Sequence, residues 1–118
     1  MENFDVDFFE LDNGDCPIRE YLDSVDVKMR AKIAWTIGLL ERNGNMLGMP
    51  YSEPLEDGIF ELRTKLSSNI SRVLYFFYVG RKIILTNGFT KKTNKVPKSE
   101  IELAKKYRDM YLSRQKGE

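Results

Sequence analysis

The fold turns on two adjacent stretches, Ile59-Phe-Glu-Leu-Arg-Thr-Lys-Leu66 and Ser71-Arg-Val-Leu-Tyr-Phe-Phe-Tyr78. Both are patterned as β-strands, and Ser68-Asn69 stands in the short turn between them. With Ser67 paired to Ile70, the antiparallel register sets Lys65 opposite Arg72 and Arg63 opposite Leu74. Alternate residues of a strand share a face, so Arg63, Lys65 and Arg72 are expected on one side of the sheet. A face carrying three cations can hold a phosphate.

Moving outward, Lys82-Ile-Ile-Leu-Thr-Asn-Gly-Phe89 reads as a third strand joined through Gly80-Arg81, which gives a meander of about 59–66, 70–79 and 82–89. The middle strand is apolar on both faces apart from Ser71 and Arg72, so it is expected in the centre with cover on both sides. An arginine inside it needs a partner or a pocket. Lys91, Lys92 and Lys95 follow the third strand as a second basic cluster.

Upstream, residues 3–11 read as a half-buried strand with Phe4, Val6 and Phe8 inward and Asp5 and Asp7 outward, followed by a turn at Asp12-Asn-Gly-Asp15. Pro17 is placed to open a helix, and Ser24 or Asp26 to cap a longer one reaching about Arg42. Its apolar stripe is Val27, Ala31, Ala34, Ile37 and Leu40, widened by Ile33 and Leu39. Trp35 lies beside that stripe and is expected in or at the edge of the core rather than as a base-stacking platform. Asn43-Gly44 ends the helix, and residues 45–57, with Pro50 and Pro54, are expected as a loop. A last helix from Pro97 turns Ile101, Ala104, Tyr107, Met110 and Tyr111 inward, with Ser99 and Glu102 at capping-box spacing. Lys98, Lys105, Lys106, Arg108 and Arg114 are left for a solvated face. The expectation is one α+β domain over residues 1–118, in the order β-α-α-β-β-β-α.

Composition narrows the chemistry. The 118 residues, 42% hydrophobic, suit one modest core. No apolar run approaches the roughly 20 residues of a membrane span, and the acidic N-terminus is unlike a secretory leader, so a cytoplasmic protein is expected. Cys16 is the only cysteine and there is no histidine, which excludes an intrachain disulfide and the common zinc arrangements; no metal site and no cofactor are expected. The net charge of +1 hides an asymmetry: residues 1–27 hold nine Asp/Glu and one Arg, whereas residues 28–118 hold eighteen Lys/Arg and nine Asp/Glu. Either the acidic segment folds against the basic remainder, or a basic working surface persists on the far side, and the two are compatible.

The element order, with Gly58-Ile-Phe-Glu-Leu-Arg63, Ser71-Arg-Val-Leu-Tyr75 and Asn87-Gly-Phe-Thr-Lys-Lys-Thr-Asn-Lys-Val-Pro-Lys-Ser-Glu100, resembles the RelE/ParE toxin superfamily over roughly residues 3–112, most closely its HigB-like, phage-derived branch. The resemblance implies a RelE-like fold and the toxin of a type II toxin–antitoxin pair, a ribosome-dependent endoribonuclease acting on messenger RNA. It implies no membrane partner and a cognate antitoxin, a HigA-like helix-turn-helix protein through which alone the toxin meets operator DNA. It also implies basic catalytic residues at Arg63, Lys65 and Arg72, with Lys91 and Lys92 at the basic position after the last strand.

Metal-free RNA cleavage uses the neighbouring 2′-hydroxyl as nucleophile, so the protein has to assist its deprotonation, stabilise a doubly negative transition state and protonate the departing 5′-oxygen. Arg63 and Arg72 remain charged at any relevant pH and can clamp phosphate oxygens through planar forks. Without histidine, and with Pro97-Lys98 near where some relatives carry a tyrosine, the proton carriers have to be a lysine or Glu61. Glu61 shares the face of Arg63 and Lys65, where it is either a base or the salt bridge that holds Arg63. Lys95 and Lys98 are expected to contact RNA phosphates, and Phe89 to stack on a base or pack in the core. Two other functions fit the same scaffold: a ParE-like DNA gyrase inhibitor, and a non-catalytic phage accessory protein that binds RNA or an antitoxin.

Overall fold

A computed structural model describes residues 3–91 and 95–117. Five strands form one mixed sheet in the order β1-β5-β4-β3-β2. They are β1 (Asp5–Phe8), β2 (Ser52–Glu56), β3 (Ile59–Leu66), β4 (Asn69–Tyr78) and β5 (Lys82–Lys91). Only the β1–β5 pairing is parallel; the other three are antiparallel. Helices α1 (Pro17–Ser24) and α2 (Val27–Asn43) cover one face, where Ile18, Met29, Ile33 and Leu40 meet Leu62, Val73, Tyr75 and Leu85. Helix α3 (Lys98–Lys116) covers the other, where Ala104 meets Phe9, Ile59, Leu74, Phe76 and Ile84. The protein is therefore α+β, with the apolar β4 at the centre of the sheet as its composition requires.

Local chemistry explains most of the boundaries. Pro17 stands at the first turn of α1, where its missing N–H costs nothing. The Asp26 carboxylate accepts from Met29 N at 2.8 Å and caps α2. Asn13 Oδ1 accepts from Asp15 N at 3.0 Å and closes the turn after β1, in which Gly14 has a left-handed φ of 92°.

Five expectations are corrected. The segment expected as a loop contains β2, which pairs with β3 through Ser52↔Leu62, Glu53↔Glu61 and Pro54↔Phe60. Proline can lie in a strand at the edge of a sheet, and β2 is an edge. The β3–β4 turn is Ser67-Ser68, because Leu66 pairs with Asn69; Arg63 therefore opposes Arg72, and Lys65 opposes Ile70. This differs from the expected register by two residues, which preserves the face of every side chain. On α2 the buried residues are Met29, Ile33, Thr36 and Leu40, whereas Val27, Ala31 and Ala34 are exposed. Thr36 is admitted to the core because its hydroxyl donates to Lys32 O at 3.0 Å within the helix. Trp35 is 51% exposed rather than core. Finally, the N-cap of α3 is Pro97 with no side-chain cap bond, so Ser99 and Glu102 do not form the capping box.

The basic arc of α3 is engaged with acids rather than left to solvent alone. Lys105 Nζ lies 2.5 Å from Glu56 and 3.2 Å from Glu102, Arg108 Nη2 lies 2.8 Å from Asp57, and Arg114 Nη2 lies 2.7 Å from Asp12. The bond from Lys105 holds the Glu56 carboxyl below its usual range.

Helix α1 is seated on β5 by a close approach at Gly88. A Cβ there would lie 2.6 Å from Tyr21 Cδ2, while the Tyr21 hydroxyl donates to Ser71 Oγ at 2.8 Å and lies 2.6 Å from Thr90 Oγ1. Gly88→Ala is expected to lose about 1–3 kcal/mol in urea unfolding through overpacking. Combining it with Tyr21→Ala is expected to cost less than the sum of the two single changes.

Tyr75 is buried in the core with its hydroxyl 2.5 Å from Ser52 Oγ. Burial pushes its pKa up to about 12, above the unfolded value near 10. The neutral phenol's contribution to stability is thus complete below about pH 10 and lost as pH rises toward 12. Tyr75→Phe is expected to flatten this alkaline fall when urea midpoints are compared with the wild type from pH 9 to 12.

Candidate functional site

Antiparallel pairing arranges the expected site residues in two neighbouring rungs of the sheet. One rung is Arg63↔Arg72↔Phe89; the next is Lys65↔Ile70↔Lys91. All six belong to the face covered elsewhere by α3, and strand spacing sets the backbones of Lys65 and Lys91 about 10 Å apart. That span is within reach of two long cationic side chains meeting over one phosphodiester.

Accessibility divides the cations. Lys65 and Lys91 are exposed, the Arg63 side chain retains 19% of its surface, and Arg72 has none. Two guanidinium groups directly opposite one another would repel, and Glu61 resolves the conflict. Its carboxylate is ion-paired with Arg72 Nη1, and Oε1 lies 3.8 Å from Arg63 Nε. A second carboxylate, Glu53 Oε2, lies 3.9 Å from Arg63 Nη1 and keeps 46% of its side-chain surface.

Arg63, Lys65, Arg72, Lys91 and Phe89 are thus brought together as neighbours, but they are not equivalent. Arg63, Lys65 and Lys91 each keep solvent-facing surface, whereas Arg72 keeps none and forms the floor beneath them. Glu61 is enclosed by the two arginines at 1% exposure, without a path to a solvent-side hydroxyl. Phe89 is half-buried against the cluster under α3. Lys95 is exposed, as is Lys98, which opens α3. Lys92 lies outside the described residues.

Some contributors were not expected from the sequence. Glu53 lies on β2, whose sequence reads as a loop. Asn87 is buried and its Nδ2 donates to Glu100 O at 3.2 Å and Glu100 Oε1 at 3.0 Å, tying β5 to the first turn of α3. The Thr86 hydroxyl donates to Leu74 O at 3.1 Å, beside the register shift between Val73 and Tyr75. That irregularity brings Phe89 and Lys91 onto the face of Arg72 and Ile70.

The model of a protein family described as Phage derived protein Gp49-like (DUF891) matches residues 20–109. The chain belongs to that family. The Gp49-like family is a phage-derived, RelE/HigB-like toxin family, and such a toxin implies a cognate antitoxin. The matched span begins inside α1 and ends inside α3, so it includes both rungs of this Gp49-like site. No curated protein matches the chain. Among the described residues, no helix is long and apolar enough to cross a membrane.

Removing Glu61 from this Gp49-like chain leaves the Arg72 charge buried without that counter-charge. Glu61→Ala is therefore expected to lose about 3–5 kcal/mol in urea unfolding, whereas Lys65→Ala on the exposed rung changes stability by no more than about 0.5 kcal/mol. Equal stability of Glu61→Ala and wild type would remove Glu61 from this role.

Proposed function

We propose that this chain is the toxin of a type II pair and cuts messenger RNA on the ribosome by metal-free attack of a 2′-hydroxyl. The observation that carries the reading is the pair of adjacent rungs, in which Arg63, Lys65 and Lys91 present three accessible cations over a neutralised arginine floor. The family assignment supports it independently.

The roles follow from accessibility. Arg63, oriented between Glu61 and Glu53, donates to the non-bridging oxygens, where charge grows most in the transition state. Lys65 and Lys91 neutralise the remainder from either side. The 2′-oxygen bonds to phosphorus as its proton passes to the accessible Glu53 carboxylate; the bond to the 5′-oxygen breaks as an ammonium of Lys65 or Lys91 protonates it. The products are a 2′,3′-cyclic phosphate and a 5′-hydroxyl. Arg72 acts through Glu61, as a positioning residue. Lys95 and Lys98 supply further phosphate contacts, and Lys92, next to Lys91 in the sequence, is a further cation for the same catalytic role. The partner is proposed to be a HigA-like helix-turn-helix antitoxin, through which the toxin meets its operator, and the site of action is the cytoplasm.

In a translating extract, the purified chain is expected to create new 5′ ends inside coding regions, and to cut the same RNA poorly when it is naked. Arg63→Ala is expected to slow cleavage about 100- to 1,000-fold, and Lys65→Ala to slow it while leaving the urea midpoint in place. Equal cutting of naked and translated RNA would reject ribosome dependence. Absence of new ends, or full activity of folded Arg63→Ala, would reject the nuclease or its site.

A further inference from the structure

Around the open edge of β3 from these cations lies a groove of about 290 Å³, lined by Trp35 and Tyr51 together with Lys32, Pro50, Arg63 and Lys65. It exists because β2 begins at Ser52, opposite Leu62, so the β3 edge at Lys65 faces the groove instead of another strand. Tyr51 is fixed there by its carbonyl, which accepts from Arg63 N at 2.7 Å. Its ring meets Trp35 edge to face, with centroids 6.0 Å apart and planes at 69°. That contact leaves Trp35 51% exposed, on the flank of α2 beside the buried Thr36, which also lines the groove.

We infer that this groove seats an unpaired base of the bound RNA against Trp35, with the phosphates flanking it on Lys32 and Lys65. The inference rests on the nuclease reading and adds a substrate subsite to it. Three observations favour this occupant. An exposed aromatic platform bordered by cations is how single-stranded nucleic acid is held, because every base has a face to stack and every linkage carries a negative charge. Lys32, Arg63 and Lys65 are its charged lining groups, and among the described residues no carboxylate lines it. The volume falls just short of the roughly 300–1,000 Å³ of small-molecule sites, which suits one base rather than a folded partner. Continuity is the final point: Arg63 and Lys65 belong to both the groove and the rungs, so a strand crossing the rungs delivers its next base to Trp35.

Trp35 is the only tryptophan, so its emission reports the groove directly. The probe is a short single-stranded RNA, 2′-O-methylated throughout so that no 2′-hydroxyl can attack. The expected result is saturable quenching by this RNA, and none by an abasic phosphate chain of equal length. In anisotropy with labelled RNA, Trp35→Ala is expected to bind about 5- to 150-fold more weakly, the loss of one stacked base, while Trp35→Phe keeps most of the affinity. Circular dichroism of each variant is expected to match the wild type. Equal quenching by the abasic chain or by an acidic peptide would overturn the assignment, as would undiminished binding by Trp35→Ala. The two proposals fail separately. Loss of cleavage in Arg63→Ala with unaltered RNA binding by Trp35→Ala removes the groove alone, whereas base-dependent quenching by a chain that cuts no RNA keeps the groove and removes the nuclease.

Discussion

An arginine with no exposed surface, in the central strand of the sheet, is the constraint on which the working face depends. A charge so placed requires a counter-charge on the same face, and Glu61 on the neighbouring strand supplies it. Because register sets Arg63 directly opposite Arg72, the same carboxylate also relieves the repulsion between the two guanidinium groups. Ion pairs of this kind add little or nothing over apolar side chains of the same volume, so the consequence here is positional. Arg72 holds Glu61, Glu61 and Glu53 orient Arg63, and the accessible cations stand over a floor that does not repel them.

The distribution of charge extends this logic across the molecule. At the end of the sheet where β3 and β5 begin, cations meet acids: Lys105 with Glu56, Arg108 with Asp57 and Lys82 with Asp7. Arg114 likewise reaches Asp12 on the turn after β1. Such surface pairs are individually weak; those from Lys105, Arg108 and Arg114 tie α3 to the end of β2, the turn that follows it and the turn after β1. The acidic N-terminal segment therefore folds against part of the basic remainder, as its charge suggests. Lys65 and Lys91 lie at the opposite end of their strands, where the β3–β4 hairpin turns, and a near-neutral protein keeps a local cationic field.

Much of the fold is legible from periodicity and capping chemistry. The alternation of Phe4, Val6 and Phe8, the Pro17 and Asp26 helix starts and the doubly apolar β4 all report local preferences that the tertiary structure keeps. What escaped has equally specific causes. β2 carries Pro54 and two glutamates, so nothing in its pattern distinguishes an edge strand from a loop. The buried stripe of α2 is rotated from its apolar pattern, because Ala31 and Ala34 count as apolar yet are exposed, whereas Thr36 satisfies its hydroxyl within the helix and enters the core. Trp35 lies beside the apolar stripe in sequence, yet the core beneath α2 is filled by Met29, Ile33 and Leu40.

That Arg63, Lys65 and Arg72 share a face is legible from the residues alone, because strand parity is insensitive to a two-residue error in the turn. So is the need of Arg72 for a partner, because a lone charge in an apolar strand is too costly to bury. Which cations meet solvent is set by packing in three dimensions, since it depends on Glu61 standing diagonally across from Arg72 and on the cover over the face. The tertiary structure alone brings Glu53 to Arg63 and Trp35 to Tyr51, pairs separated along the chain and joined by an edge strand that no local pattern announces.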